Sequence, residues 1–191
     1  MNNFDITLQN EIVLLRPTLV TDFEPFIKLT QDKKMWVYFT HDLSDSNDFK
    51  NWFNEALLGK ELKTRLPFTV IQKEDNKVAG ATSFGNISMR DKRIEIGWTW
   101  LGAEFWGKGL NTQTKYLMLK YCFELLDFER VEFKTDVLNM HARNALLRMH
   151  ITEEGILRSH TLMTNGRRRD TIFYSVLKAE WPELKIKNNW K

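Results

Sequence analysis

Ile94-Glu95-Ile96-Gly97-Trp98-Thr99-Trp100-Leu101, followed by Gly102-Ala103-Glu104-Phe105-Trp106-Gly107-Lys108-Gly109-Leu110, is the stretch that decides the fold. Its first part alternates. Ile94, Ile96, Trp98 and Trp100 share one face and Arg93, Glu95, Gly97 and Thr99 the other, which is the two-residue period of a half-buried strand. A short turn with three glycines, Gly102, Gly107 and Gly109, comes next. Beyond it Leu110, Leu117, Met118, Tyr121, Cys122 and Leu125 form a helical stripe, predicting a helix to about Leu126. A strand, a glycine-rich turn and a helix in that order bare the first N–H groups of the helix to an anion. The first turn after Gly107 carries Lys108 and no carboxylate, although helix starts ordinarily favour Asp or Glu. The pattern therefore predicts a bound phosphate.

Two phosphate-loop motifs fit poorly. The pattern G-x-x-x-x-G-K-[ST] runs from Gly102 to Lys108 but meets Gly109 where a Mg²⁺-holding hydroxyl belongs, which argues against a nucleotide triphosphatase. The dinucleotide pattern G-x-G-x-x-G begins at Gly107 and Gly109 and meets Thr112 at its third glycine.

Composition narrows the class. The 191 residues suit one domain, taken as 1–191, with a substantial core. Apolar residues make up 42% and aromatics 13%, which argues against disorder. With 28 basic against 25 acidic residues the net charge is +3, too balanced for a dedicated nucleic-acid binder. Cys122, the one cysteine, lies in the apolar stripe and is expected to be buried. No long apolar run predicts a membrane span, and Met1-Asn2-Asn3-Phe4-Asp5 has no signal-peptide pattern, so a cytoplasmic protein is expected. His41, His141, His150 and His160 have no metal-site spacing, and no metal is expected.

Around the central stretch the chain reads as a strand at Glu11–Arg16, a helix from Thr21-Asp22, an irregular aromatic loop over 33–45, and a helix capped by Ser46. A hairpin of Pro67–Gln72 with Val78–Phe84 precedes the central stretch. After it come a strand at Arg130–Val137, a helix from Asn139 to Arg148, and strands at Gly155–Leu162 and Thr171–Leu177 joined by an Asn165-Gly166 turn. This is an α+β chain, with a mostly antiparallel mixed sheet of about seven strands flanked by about four helices.

The element order and the loop resemble the GNAT superfamily of N-acetyltransferases. Glu104-Phe105-Trp106-Gly107-Lys108-Gly109 is similar to that family's pyrophosphate loop, Gln/Arg-x-x-Gly-x-Gly/Ala, except at its first position. Within the superfamily the chain resembles the ribosomal-protein N-terminal acetyltransferase branch. The resemblance is carried by Leu15-Arg16-Pro17, Ile94-Glu95-Ile96-Gly97-Trp98, Asn139-x-x-Ala142-Arg143, Glu154-Gly155-x-Leu157-Arg158, Arg169-Asp170-Thr171 through Tyr174-Ser175, and Glu180-Trp181-Pro182. It departs at Glu104, at Ala142 where Ser is frequent, at Met149-His150-Ile151, and in having no tyrosine in the Asn139 helix, where many relatives carry the acid that reprotonates the CoA thiolate.

The resemblance implies acetyl transfer from acetyl-CoA to a primary amine, a protein N-terminus or a small molecule, by direct attack in a ternary complex. A non-catalytic acyl-CoA-binding or regulatory module is the alternative that Ala142 and the missing tyrosine keep open. The reaction needs a neutral amine, a polarised thioester carbonyl and a proton for the thiolate. Glu95 is the candidate base, or a solvated carboxylate paired with Arg93 or Lys92. A backbone N–H near Trp100 or Leu101 would meet the carbonyl oxygen. Phe105, Trp106, Gly107, Lys108, Gly109, Leu110 and Asn111 would form the CoA loop. Asn139 would hold the pantetheine arm or cap its helix, and Arg143 and Lys108 would reach CoA phosphates or stay solvated. Trp36, Phe84 and Trp98 would line the acceptor pocket or pack the core. Arg167-Arg168-Arg169 would give the acceptor entrance a basic rim or form a solvated hairpin tip. No partner beyond acetyl-CoA and the amine is implied, neither nucleic acid nor membrane, and the chain would be a monomer or homodimer.

Overall fold

The computed structural model describes residues 6–190; the stretch Met1–Asp5, read above for a leader, lies outside them. Eight strands form one sheet: β1 (Leu8–Gln9), β2 (Val13–Pro17), β3 (Arg65–Gln72), β4 (Lys77–Ser88), β5 (Arg93–Leu101), β6 (Arg130–Asp136), β7 (Thr152–Leu162) and β8 (Arg168–Leu177). Their order is β1-β2-β3-β4-β5-β6-β8-β7, antiparallel throughout except for β5 and β6. The α-helices are α1 (Phe23–Leu29), α2 (Ser46–Glu61), α3 (Leu110–Lys120), α4 (Met140–Arg148) and α5 (Trp181–Lys187). The architecture is the α+β mixed sheet that the sequence predicts, with a short β1 and a C-terminal α5 added. Helix α2 is capped by Asp45 rather than Ser46, the Asp45 carboxylate accepting from the N–H groups of Asn47 and Asp48.

The sheet has two faces, each with its own core. On one, α3 and the π-helical turn Tyr121–Leu125 that continues it bring Leu117, Met118 and Cys122 against Val13, Leu15, Phe68, Phe84, Ile94, Ile96 and Phe133. Cys122 is fully buried, which pushes its thiol pKa well up. On the other, α1 and α2 pack Phe26, Trp52 and Phe53 with Trp36, Ala81 and Trp100.

This division corrects the reading of β5. Ile94 and Ile96 belong to the α3 side, but Trp100 belongs to the α1/α2 side. The cause is one extra residue. Ser83 pairs with Gly97 and Ala81 with Trp100, so β5 takes three steps while β4 takes two. Trp98 absorbs the difference with a left-handed backbone, φ +52°, the conformation of a strand bulge. A side-chain period of two then flips at that point. Thr99 reaches towards α3, within 2.8 Å of the Thr82 hydroxyl, and Trp100 swings the other way.

Room for Trp98 comes from β4. A Cβ built on Gly85 would lie 2.5 Å from the Trp98 ring. We predict that Gly85→Ala lowers stability by about 1–3 kcal/mol, the cost of overpacking a closed site. A fall in the urea midpoint with an unchanged m-value would verify this, and a midpoint equal to the parent's would refute it.

Candidate active site

The β5–β6 ladder is short. Arg93 pairs with Arg130, Ile94 with Val131 and Glu95 with Glu132, and no further pair follows. β5 goes on to Leu101, while β6 keeps its pairing with β8 as far as Asp136. Glu95 therefore sits where the two parallel strands stop sharing hydrogen bonds.

Its carboxylate is buried, 4% exposed, and not paired with Arg93 or Lys92. Glu95 Oε2 accepts from Asn86 Nδ2 at 2.6 Å and forms an ion pair with Lys134 Nζ at 3.0 Å. Gly97 makes this possible, because a Cβ there would lie 2.7 Å from Glu95 Oε1. The carboxylate borders a cavity of about 570 Å³ that is also lined by Asn86, Arg93, Glu132, Lys134 and His160. Trp98 stands beside it, with the Arg65 guanidinium 4.7 Å from its ring centroid and the Lys134 ammonium 6.0 Å away.

Further along β5 comes the loop. Ala103–Phe105 makes a single 3-10 turn, and Gly109 is the N-cap of α3. Gly107 and Gly109 have φ of +72° and +78°. A Cβ on either would meet nothing within 4 Å, so conformation and not space demands glycine here, and the loop is open above them. The first turn of α3 has no acidic side chain, as the sequence predicts. Leu110 and Phe105 are buried anchors of the loop. Trp106 is 46% exposed; its Nε1 donates to the Leu101 carbonyl at 2.8 Å and its ring meets His141 edge-on. Lys108 lies over the Phe105 ring. Asn111 Oδ1 is buried and has no hydrogen-bond partner. The loop thus offers free N–H donors and unspent polar atoms to an anionic, amide-bearing ligand such as CoA.

Several expected residues are engaged elsewhere. Asn139 caps α4, its Oδ1 accepting from the Ala142 N–H at 3.1 Å. Arg143 Nε donates to the Tyr174 hydroxyl at 3.2 Å and Nη1 to the Val137 carbonyl at 2.9 Å, so its guanidinium is tied into α4 and β8. Trp36 is 4% exposed, donates Nε1 to the Thr30 carbonyl and packs on Trp100. Phe84 is 0% exposed and lies in the α3-side core, where it cannot form an acceptor wall. The basic rim is also corrected. Arg167 pairs with buried Asp136, Arg168 bonds Ser159, and Arg169 is buried with Nε on the Thr171 hydroxyl. Each arginine has its own partner: Arg167 lies in the turn ahead of β8, and Arg168 and Arg169 alternate within the strand.

Sequence reading missed Asn86, Lys134 and Lys115. Lys134 alternates with Phe133 in β6, on the charged face with Glu132. Lys115 carried a signal: at i−3 from Met118 and i−7 from Cys122 it is a charge within the apolar stripe of α3. It is 4% exposed and donates Nζ to Thr99 Oγ1 at 2.6 Å.

Among the described residues no cluster of three or more His, Cys, Asp or Glu could hold a metal ion, and no helix is long and apolar enough to cross a membrane. The profile of the Acetyltransferase (GNAT) domain matches residues 13–152. The provisionally named ribosomal N-acetyltransferase YdaF of Bacillus subtilis is 36% identical over 163 residues, 83% of this chain and 85% of its own. The uncharacterized N-acetyltransferase p20 of Bacillus licheniformis is 29% identical over 180 residues, 92% of this chain and 98% of its own. A crystal structure of a GCN5-related N-acetyltransferase from Brucella melitensis superposes with a TM-score of 0.88 at 26% identity, covering 97% of this chain and 85% of that one.

The loop glycines give a prediction complementary to that for Gly85. Gly109→Ala meets no atom, yet it must hold a left-handed φ, so stability should fall by about 1–2 kcal/mol. Thermal melts of the variant and the parent test this; equal melting temperatures would show that the loop relaxes out of the left-handed conformation at no cost.

Proposed function

The chain belongs to the GNAT acetyltransferase family and within it resembles the ribosomal-protein N-terminal acetyltransferase branch, and on that footing we propose that it transfers the acetyl group of acetyl-CoA to a primary amine, a protein N-terminus or a small molecule, by direct attack in a ternary complex. The observation that carries this reading is the early end of the β5–β6 ladder at Glu95, in line with the glycine loop that follows. The edge of β5 that β6 leaves unpaired, from Ile96 to Trp100, offers backbone N–H and C=O groups to the amides of a pantetheine arm, and the open start of α3 offers N–H donors to a pyrophosphate. Gly107 and Gly109 leave space for the phosphates, with Lys108, Leu110 and Asn111 around them. Glu104, in the turn ahead of the loop, is exposed, so its carboxylate has solvent to point into. A backbone N–H near Trp100 or Leu101 polarises the thioester carbonyl.

Glu95 is the proposed base. An amine arrives as an ammonium, with a pKa of about 8 at an N-terminus and about 10.4 on a lysine, and must shed a proton to attack. Glu95 accepts it directly or through a water in the cavity, while Asn86 and Lys134 hold the carboxylate in place. The cavity walls carry both signs of charge, Arg93 and Lys134 against Glu95 and Glu132, which suits a polar amine or a peptide end better than an apolar one. Asn139 retains a free amide NH₂ beside its cap. The proposed setting is the cytoplasm, and no metal takes part in the proposed reaction.

Two outcomes follow. Gly109→Asp should weaken CoA binding by roughly 10²-fold, about 3 kcal/mol, by placing a carboxylate beside the pyrophosphate; a calorimetric titration with unchanged affinity would remove the loop from the CoA site. Glu95→Gln should retain CoA affinity and lower kcat by about 10²-fold. Parent-like thiol release from acetyl-CoA, measured across a panel of amines at neutral pH, would leave Glu95 a structural role only.

A further inference from the structure

We propose that Lys115 is the proton donor to the thiolate released on acetyl transfer, acting from the α3 side of the gap between β5 and β6; the inference rests on acetyl-CoA occupying that gap.

The geometry begins with the gap itself. Thr99 is on β5 and Phe133 on β6, both beyond the last shared pair Glu95–Glu132. Lys115 reaches both: its Nζ donates to Thr99 Oγ1 at 2.6 Å and lies 5.6 Å from the centroid of the Phe133 ring. The ammonium therefore lies across the opening where the two strands have parted, on the face opposite the cavity. It has three N–H donors and, among the described residues, one hydrogen-bond acceptor. Buried lysines are ordinarily matched by a carboxylate. Here Glu95 supplies the attraction, but its carboxylate is already held by Asn86 and Lys134. Thr82, Thr99 and Phe133 bring no charge. Two further atoms on the same face of α3, three and four residues apart, share this condition: Asn111 Oδ1 and Thr114 Oγ1 are buried without a partner. Unsatisfied polar atoms inside a core are rare and costly. A line of them leading from the loop to Lys115 fits a polar ligand that runs from helix start to gap.

Burial pushes the Lys115 pKa down to about 7. Such a group is a far better proton donor than an ordinary lysine, and it is in hand near neutral pH. Helix α4 has no tyrosine to fill the role. Tyr174 is held between Arg143 and Glu153, and the Cys122 thiol is pushed up and enclosed.

The step balances as follows. The acceptor nitrogen forms the new C–N bond and gives its proton to Glu95 or to water. The C–S bond breaks with its electron pair on sulfur. Lys115 gives one proton to that sulfur, making the CoA thiol, and is left as a neutral amine. Thr99 is half-buried, and its hydroxyl returns a proton to the amine from solvent.

Lys115→Met, in the full chain, retains the stem and removes the ammonium. Three readouts decide. The first is stability. In the folded chain Lys115 titrates below its unfolded value, so its burden is complete below about pH 7 and fades towards pH 10.4. The variant should melt higher than the parent at about pH 6, and the gap should close by about pH 10. A gap that does not change with pH would overturn the proposal. The second is CoA affinity by calorimetry, expected within about threefold of the parent. The third is thiol release from acetyl-CoA with a panel of primary amines. The variant's kcat should fall about 10²-fold, and it should lose the basic limb that sets in near pH 7 in the parent. A parent that binds CoA and transfers acetyl, beside a variant with the same kcat and the same basic limb, would overturn the proposal alone. A parent that does not bind CoA would overturn the acetyl-CoA reading and this inference with it.

Discussion

The extra residue at Trp98 is the constraint on which the rest of the site depends. A bulky side chain at a left-handed φ costs about 1–3 kcal/mol, and the fold holds it there with Gly85 against the ring and the cations of Arg65 and Lys134 near it. The strand enters with its isoleucines on the α3 core and leaves with Trp100 in the α1/α2 core. Each face receives the apolar group it needs, although the two needs are out of phase by one residue. The same shift gives Thr99 to α3 and leaves Glu95 on the cavity. The carboxylate and Lys115 thus lie on opposite faces of one strand, at the place where its pairing with β6 ends.

The buried charges divide into two kinds. Asp22 is 2% exposed and fully spent: burial works to raise its pKa, but the Arg16 guanidinium, the Leu19 N–H and the Thr69 hydroxyl outweigh this and hold it below its ordinary value. That pair fastens β2 and β3 to the turn ahead of α1, and its role is architectural. Near the gap the charges are less completely matched. Arg65 is buried against Trp52 and Trp98, and among the described residues its side chain hydrogen-bonds Ser83 alone; burial lowers its pKa to about 10. Lys115 has one hydroxyl. Charges left short of partners in a dry interior lower stability, and their collection at the break in the sheet marks where stability has been exchanged for chemistry.

The loop and the cavity approach this break from two ends. The glycines at 107 and 109 open the start of α3 because their backbone is left-handed, and no side chain closes over them. The cavity lies on the other side of Glu95. A two-substrate reaction needs such an arrangement, with one partner entering along the strand edge and the other meeting it at the carboxylate. In the proposed reading the acceptor is constrained by the polarity of the cavity walls, which carry Arg93 and Lys134 beside Glu95 and Glu132.

Much of this was legible in the chain. The strand–turn–helix at 94–126, the acid-free start of α3, the cap at Asn139 and the burial of Cys122 all follow from residues within one or two turns of each other, where period, glycine conformation and capping act locally. Glu95 could be singled out because it precedes the loop. What local patterns could not supply was register. The alternation of Ile94, Ile96, Trp98 and Trp100 is regular in the sequence and is broken in the fold, because the phase of β5 is set by its pairing with β4, ten or more residues away. Arg167, Arg168 and Arg169 look like one basic patch and are three separate bonds, because Asp136 and Ser159 reach the first two across the sheet and Thr171 holds the third from its own strand. Phe84 looks like a pocket wall and is core, because α3 covers its face. Lys115 looks like a flaw in an apolar stripe and becomes a poised cation, because the strands above it part. Local sequence settled which segments fold and which helix start is left without an acid; the tertiary structure alone decided which face each side chain meets and which charges are left short of partners, since both depend on cross-strand contacts that a linear pattern does not contain.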